Sequence, residues 1–334
     1  MGIVEKFPVP KPIGGTERAT NPKLIQHVTS TVEVRNTQGI VIQTISVEEY
    51  SPSKENQKSD RPVLVVPGYT EGPRTLEENQ RETALLGRKA FTFDAQRGIS
   101  NGGGDPADLL RLKREGFHEY EIKKAQALLE VVRQKGIGKK ELDAIGHSEG
   151  CIYLVLAALA NPVPFHTLLL VNPGGMVGQD NFFSLIDRAY KHSKKEREMI
   201  QRNPDLKKVH DIGKSERVKN LTQSIMTGIS APRAIACTQI RELLVLLKEK
   251  GVRIVIAHSV DDEIFPMDEV RKMSAEGIDG FYSINMNLGH NGYFLDPKTH
   301  AFLAEHTFSG IEKREEREAA EKQGFPASEE RLAA

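Results

Sequence analysis

The sequence predicts an α/β protein built on a mostly parallel sheet with helices on both faces. Short apolar bursts such as PVLVVPG (62–68), LDAIG (142–146), HTLLLVNPGG (166–175) and VRIVIAHS (252–259) lack the in–out alternation of a half-exposed strand. That pattern suits strands buried on both faces. Between the bursts lie helix-length segments such as FHEYEIKKAQALLEVVRQKG (117–136), and strand–helix alternation is the mark of parallel βαβ construction.

In chain order, HVTSTVEVRN (27–36) and GIVIQTISVEEY (39–50) are rich in β-branched residues and close enough to pair as a hairpin. PVLVVPG follows as a buried strand, then TLEENQRETALLGR as a helix, KAFTFDA as a strand and the 117–136 helix. LDAIG (strand), EGCIYLVLAALAN (helix) and HTLLLVNPGG (strand) continue the rhythm, and it resumes after 234 with CTQIRELLVLLKEKG, VRIVIAHS, DEVRKMSAEG, GFYSINM and PKTHAFLAEHTF. About eight strands are expected, the first two antiparallel or mixed.

The stretch 176–234 is helical in composition and has no strong strand, so it reads as a helical cap or lid inserted into a core of 25–175 and 235–310. Residues 1–24 read as an N-terminal extension. Residues 311–334 are charged throughout and read as a solvated helical tail followed by disorder.

Composition excludes several function classes. Lys plus Arg equals Asp plus Glu at 46 each, so there is no overall positive field to gather nucleic acid. The chain has no tryptophan and is 6% aromatic, which is poor material for a base-stacking surface. The basic run KHSKKERE (191–198) is interleaved with acids and reads as a solvated helix face. No signal-peptide pattern and no apolar run of about 18 residues occurs, so a cytoplasmic protein without stable membrane insertion is expected. Cys151 and Cys237 sit in apolar surroundings and read as buried reduced thiols. No metal-ligand spacing is present, and nothing indicates an oligomeric state.

The chemistry centres on Gly146-His147-Ser148-Glu149-Gly150, a turn between a strand and a helix. Glycines on either side allow a tight corner with the serine hydroxyl exposed at a helix N-terminus, where developing negative charge is favoured. The alternative is an N-cap serine with no chemical role. A nucleophilic serine needs a base and an acid that orients it, and in a nucleophile-turn protein these follow later strands in the order acid, then histidine. VRIVIAHS runs into VDDEIFP, and GFYSINM runs into NLGHNGYF, which gives Asp262 as acid, with Asp261 as its competitor facing away, and His290 as base. His147 is assigned to packing or pocket shape. Backbone amides of Glu149, after the nucleophile, and of Tyr69, after the early strand, would form the oxyanion hole.

Together VLVVPGYTEG (63–72), FTFDAQRGIS (91–100), GHSEG (146–150), IVIAHSVDDEIFP (254–266) and LGHNGYF (288–294) resemble the α/β-hydrolase superfamily over roughly 35–310. The resemblance implies the α/β-hydrolase fold, with Ser148 as nucleophile, Asp262 as acid, His290 as base, and the Tyr69 and Glu149 amides as oxyanion donors. It also implies that a cap sits after the strand following the nucleophile helix. The chain departs from many members in having Pro67-Gly68 where they have His-Gly. Glu71 and Arg74 loosely resemble the glutamate-containing loop of monoacylglycerol-lipase-like carboxylesterases. Serine at 148 separates it from haloalkane dehalogenases and epoxide hydrolases, which carry aspartate there.

The expected activity is cofactor-free hydrolysis of small-molecule esters of small or medium acids through an acyl-enzyme. Amide hydrolysis, C–C bond hydrolysis and acyl transfer use the same triad, and a non-catalytic ligand-binding member would keep the same fold. Phe182, Phe183, Leu185, Ile186, Ile225 and Met226 are candidates for an acyl pocket or for ordinary lid packing. Asp94, Arg97 and Glu71 are read first as loop braces, with contact to a polar substrate group as the alternative.

Overall fold

The computed structural model describes residues 4–6, 24–35, 38–69, 71–95, 112–177, 181–202, 206–207, 210–215, 218, 232–273, 277–284 and 289–322. Its centre is a nine-stranded sheet in the order β1-β9-β8-β7-β6-β4-β5-β3-β2. The strands are β1 (Val4–Lys6), β2 (Ile25–Arg35), β3 (Val41–Pro52), β4 (Ser59–Val66), β5 (Arg88–Phe93), β6 (Leu142–His147), β7 (Phe165–Val171), β8 (Arg253–Ser259) and β9 (Gly280–Ile284). From β1 to β5 every neighbouring pair is parallel, and β3 and β2 add an antiparallel edge. The ninth strand beyond the expected eight is β1, three residues within the segment read as an extension, which pairs with β9.

The apolar bursts are strands buried on both sides. Leu64 and Val66 join one core with Phe91, Phe93, Ala144, Leu168, Leu170, Ile254 and Ile256, whereas Val63 and Val65 join another with Ile145, Leu169, Val171, Val255 and Ala257. Period-two side chains sort to opposite faces, so each strand feeds both cores. The helices Glu119–Gln134, Glu149–Ala160 and Arg241–Glu249 cover the first face, and Pro297–Lys322 covers the second, packed beside Glu77–Leu85. Glu149–Ala160 is apolar on every side and buried through Leu159, as a central helix between two layers must be.

Between β7 and β8 the longest described element of the insertion is the 21-residue helix Phe182–Arg202. Its run KHSKKERE is not wholly solvated: His192 and Glu196 are buried, as is Ile200 beyond the run, while Lys191, Lys194 and Arg197 are exposed. The reason is helical periodicity, which turns residues four apart inward together. Cys151 is buried and Cys237 is exposed; both are free thiols, so only one of the two sits in the core. No described helix is long and apolar enough to cross a membrane.

Residues 311–322, read from the sequence as part of a solvated tail, continue the helix from Pro297 to Lys322. They are anchored beneath the sheet. The buried Arg88 pairs with Glu305 at 2.8 Å, with Glu312 at 2.5 Å and with Asp143 at 3.5 Å. His166 on β7 lies 3.0 Å from Asp143 and 2.9 Å from Glu315. Burial alone would lower the Arg88 pKa, but the hydrogen bonds and charges of Glu312 and Glu305 outweigh it and hold the guanidinium above its usual range. A buried ion-pair network is costly to break from one side. Truncation after residue 310 should therefore lower the unfolding free energy by about 3–5 kcal/mol in urea titration; a truncated chain as stable as the whole would show that this end of the helix is ornamental.

Candidate active site

The carboxyl ends of five adjacent strands meet at one edge. Register places Val66 beside Gly146, His147 beside Val171, Val171 beside Ala257 and Ser259 beside Ile284. Tyr69, Ser148, Asp262 and His290 follow β4, β6, β8 and β9 at this edge, and of the four a hydrogen bond joins Asp262 to His290. Ligand sites in open parallel sheets form at this edge.

Ser148 sits in the turn with φ 54° and ψ −121°, a left-handed conformation for a non-glycine residue. Such backbone costs about 1–3 kcal/mol and persists only where its surroundings impose it. Here the two flanking glycines do so. A Cβ on Gly146 would stand 3.0 Å from the Cys151 backbone nitrogen, and one on Gly150 would stand 2.7 Å from the Val66 carbonyl oxygen and 2.8 Å from that of Pro67. The Ser148 side chain does not cap the helix, which removes the N-cap explanation, and the residue remains 8% exposed.

The acid and histidine are paired. His290 Nδ1 lies 2.7 Å from Asp262 Oδ2, while Asp262 Oδ1 accepts the amides of Ile264 at 2.8 Å and Phe265 at 3.0 Å. Burial alone would raise the Asp262 carboxyl, but the charge and hydrogen bond of His290 outweigh it and hold the group below the usual carboxylate range. The bond to Asp262 fixes Nδ1 as the protonated nitrogen and leaves Nε2 as the basic one. Asp261 does not face away: it accepts from the Ser259 hydroxyl at 2.5 Å and from the Gly289 amide at 3.0 Å, bracing the loop that carries His290.

Among the described residues, neither the Tyr69 nor the Glu149 amide has a carbonyl partner. Behind them the Glu149 side chain is fully buried and paired with Lys124 at 2.8 Å. The Lys124 ammonium also lies over the rings of Tyr120 and Tyr153, at 4.5 and 5.1 Å. Burial, and then the neighbouring Glu149, push the Glu121 carboxyl well above its usual range. Burial and Glu149 likewise push the Tyr69 phenol up to about 12.

Three residues outside the sequence-based site complete it. Asn172, at φ 45°, donates from Nδ2 to the His290 carbonyl at 2.7 Å and accepts the Ser259 amide at 2.7 Å. His258 is buried 3.9 Å from Asp262 and 2.8 Å from the Phe265 carbonyl; burial lowers its pKa. A carbonyl only accepts, so His258 Nε2 is the donor in that bond. His192 of the insertion helix stands edge-on to His290 with ring centroids 6.1 Å apart. Burial, then His290, lower its pKa to about 4, and neither ring nitrogen has a hydrogen-bond partner among the described residues.

The same helix is fastened over the acid and histidine loops. Arg188 donates to the Ile264 carbonyl at 2.8 Å, Lys195 pairs with Glu263 at 2.7 Å, and Asn291 donates to Glu196 at 3.1 Å. Of the apolar candidates, Leu185 is buried, whereas Phe183 and Ile186 are 78% and 43% exposed and face solvent. Phe182 is half-buried, and Arg97, Ile225 and Met226 lie outside the described residues. Asp94 is buried and its amide donates to the Ser46 carbonyl at 3.0 Å. A cavity of about 410 Å³ at the other end of the sheet is lined by Glu49, Asp60, Lys89 and Lys135. It lies away from Ser148, and Glu49 pairs with both lysines there.

No protein-family model matches the chain, and no curated protein matches its sequence. Solved structures do match. An esterase from Exiguobacterium antarcticum superimposes with a TM-score of 0.55 at 15% identity, covering 82% of this chain and 98% of that one. A thermophilic esterase from Thermogutta terrifontis gives 0.54 at 17% identity over 85% and 99%, and a bromoperoxidase from Bacillus anthracis gives 0.54 at 13% over 86% and 100%. The chain has the α/β-hydrolase fold.

The Lys124–Glu149 pair supplies a stability test. Lys124→Met strands a buried carboxylate beside Glu121 and should cost about 3–5 kcal/mol, because one partner of a buried pair is removed. Replacing both, as K124M/E149M, should recover most of that loss in chemical denaturation. A double variant no better than K124M would show that the pair is not the source of the cost.

Proposed function

We propose that the protein is a serine hydrolase that cleaves carboxylic esters of small or medium acyl groups through an acyl-enzyme. The observation that carries this reading is the uncapped hydroxyl of Ser148, held in a strained turn at the crevice where Asp262 and His290 are already paired. In this scheme His290 Nε2 takes the Ser148 proton as Oγ attacks the ester carbonyl, then gives it to the departing alcohol. Asp262 keeps the imidazole in the required tautomer and balances its charge. The amides of Tyr69 and Glu149 donate to the tetrahedral oxyanion. Water deprotonated by His290 then attacks the acyl-enzyme, releasing the acid and restoring Ser148. Every proton in this cycle is carried by a residue of the chain, so the scheme uses no cofactor.

The segment 176–234 is assigned as a lid, which the fastening of Phe182–Arg202 to the acid and histidine loops supports. Two unpaired cysteines support a reducing, cytoplasmic location.

A panel of p-nitrophenyl esters from acetate to palmitate, tested with wild type and Ser148→Ala, checks the activity. Wild type should show a chain-length optimum at short or medium acyl groups, and the variant should lose kcat by about 10⁴-fold or more. Equal rates in the two proteins would remove Ser148 as nucleophile, and activity confined to amides would replace the ester assignment.

A further inference from the structure

A second carboxylate–histidine pair lies directly beneath the first. Glu71 Oε2 accepts the Gly68 amide at 2.6 Å, and Glu71 Oε1 lies 2.8 Å from His147 Nδ1. His147 Nε2 in turn lies 3.0 Å from the carbonyl oxygen of His290. Glu71, His147 and His290 are all buried. Three loops are thereby joined by one chain of hydrogen bonds: the loop after β4, the nucleophile turn and the loop after β9.

The donor inventory constrains this chain. Nε2 faces a carbonyl, which only accepts, so Nε2 carries a proton. Nδ1 faces a carboxylate that already accepts an amide through its other oxygen. Burial would lower the His147 pKa, but the charge and hydrogen bond of Glu71, followed by the His290 carbonyl, raise it overall. Titratable groups facing the pair include His290 at a ring separation of 5.0 Å, Tyr293 at 5.6 Å, and Asp262, Cys151, Tyr153 and His300, which interact with it through charge.

We propose that Glu71 and His147 are positioning residues that couple the oxyanion loop to the histidine loop, a role that rests on the serine-hydrolase reading above. Glu71 occupies the Gly68 amide, so the Tyr69 amide is the donor this turn presents to the crevice. His147 and Asn172 together hold the His290 carbonyl, so the histidine backbone is fixed while Asp262 fixes its ring. Neither Glu71 nor His147 touches the reacting atoms. Their effect is geometric, and displacement of catalytic groups by about 1 Å costs on the order of 100-fold in rate.

The test compares Glu71→Gln, Glu71→Ala and His147→Phe. The glutamine side chain introduced by E71Q can still accept the Gly68 amide and donate to a neutral His147, so this variant should keep kcat within about threefold of wild type. E71A and H147F should lose kcat by about 10–100-fold with KM little changed, and the double variant should lose no more than either single, as members of one unit do. The downfield proton resonance of the His290–Asp262 hydrogen bond, observed by NMR without substrate, should persist in wild type and E71Q and broaden or vanish in E71A and H147F. Full kcat and an unchanged resonance in E71A and H147F, or additive losses in the double variant, would overturn the coupling. Because the resonance needs no turnover, a wild type that shows it yet hydrolyses no ester would defeat the ester-hydrolase reading while leaving the positioning role to be decided by the variants. An E71Q as defective as E71A would also overturn the geometric account.

Discussion

The crevice depends on how closely the helix Glu149–Ala160 approaches the strands on either side of it. Gly146 and Gly150 have no side chains to hold it off, and a Cβ at Gly150 would collide with the carbonyls of Val66 and Pro67. That approach forces Ser148 into its left-handed turn and presents the Glu149 amide beside the loop after β4. The strain is small against the burial of a helix that is apolar from Cys151 to Ala160 save the Tyr153 hydroxyl. The turn is further held by the Ser148 amide, which donates to the Val171 carbonyl at 3.1 Å, and by the Ser148 carbonyl, which accepts the Gly174 amide at 3.0 Å and the Cys151 amide at 3.2 Å.

Around this corner the interior is polar, and its buried charges stand in pairs. Lys124 and Glu149 support the turn from the helix side, Glu71 and His147 from the strand side, and Asp262 and His290 stand above them. At the far end, Arg88 binds the last helix to β5 and β6 through Glu305, Glu312 and Asp143. Each pair is weak evidence for net stability, since desolvation offsets attraction, but each fixes a geometry that apolar packing would leave freer. The crevice is therefore rigid at its base, and the insertion helix is attached at its rim by Arg188, Lys195 and Glu196.

What the sequence made legible was what depends on local pattern. Strands buried on both faces announce themselves as apolar bursts, and Asp262 and His290, which follow two successive strands, were readable as a pair from strand order. Residues placed by tertiary neighbours were not readable. His192 lies in a charged run and Lys124 directly follows Lys123, and nothing in either segment separates the buried member from its neighbours except its phase against a layer fixed elsewhere. The acids of 311–322 look solvated until Arg88, more than two hundred residues earlier, is brought beneath them. Asp261 illustrates the finer limit: adjacent aspartates offer the same chemistry, and only the path of the loop decides which one meets His290 and which one braces Gly289.

The central claim is that Ser148 is a nucleophile activated by His290. Its most direct test is labelling with a fluorophosphonate, followed by mass spectrometry of the digested protein, with wild type and His290→Ala treated in parallel. The account predicts one phosphonylated peptide in wild type, modified at Ser148, and a labelling rate in H290A that is lower by orders of magnitude. No adduct at Ser148, or equal labelling rates in the two proteins, would contradict it.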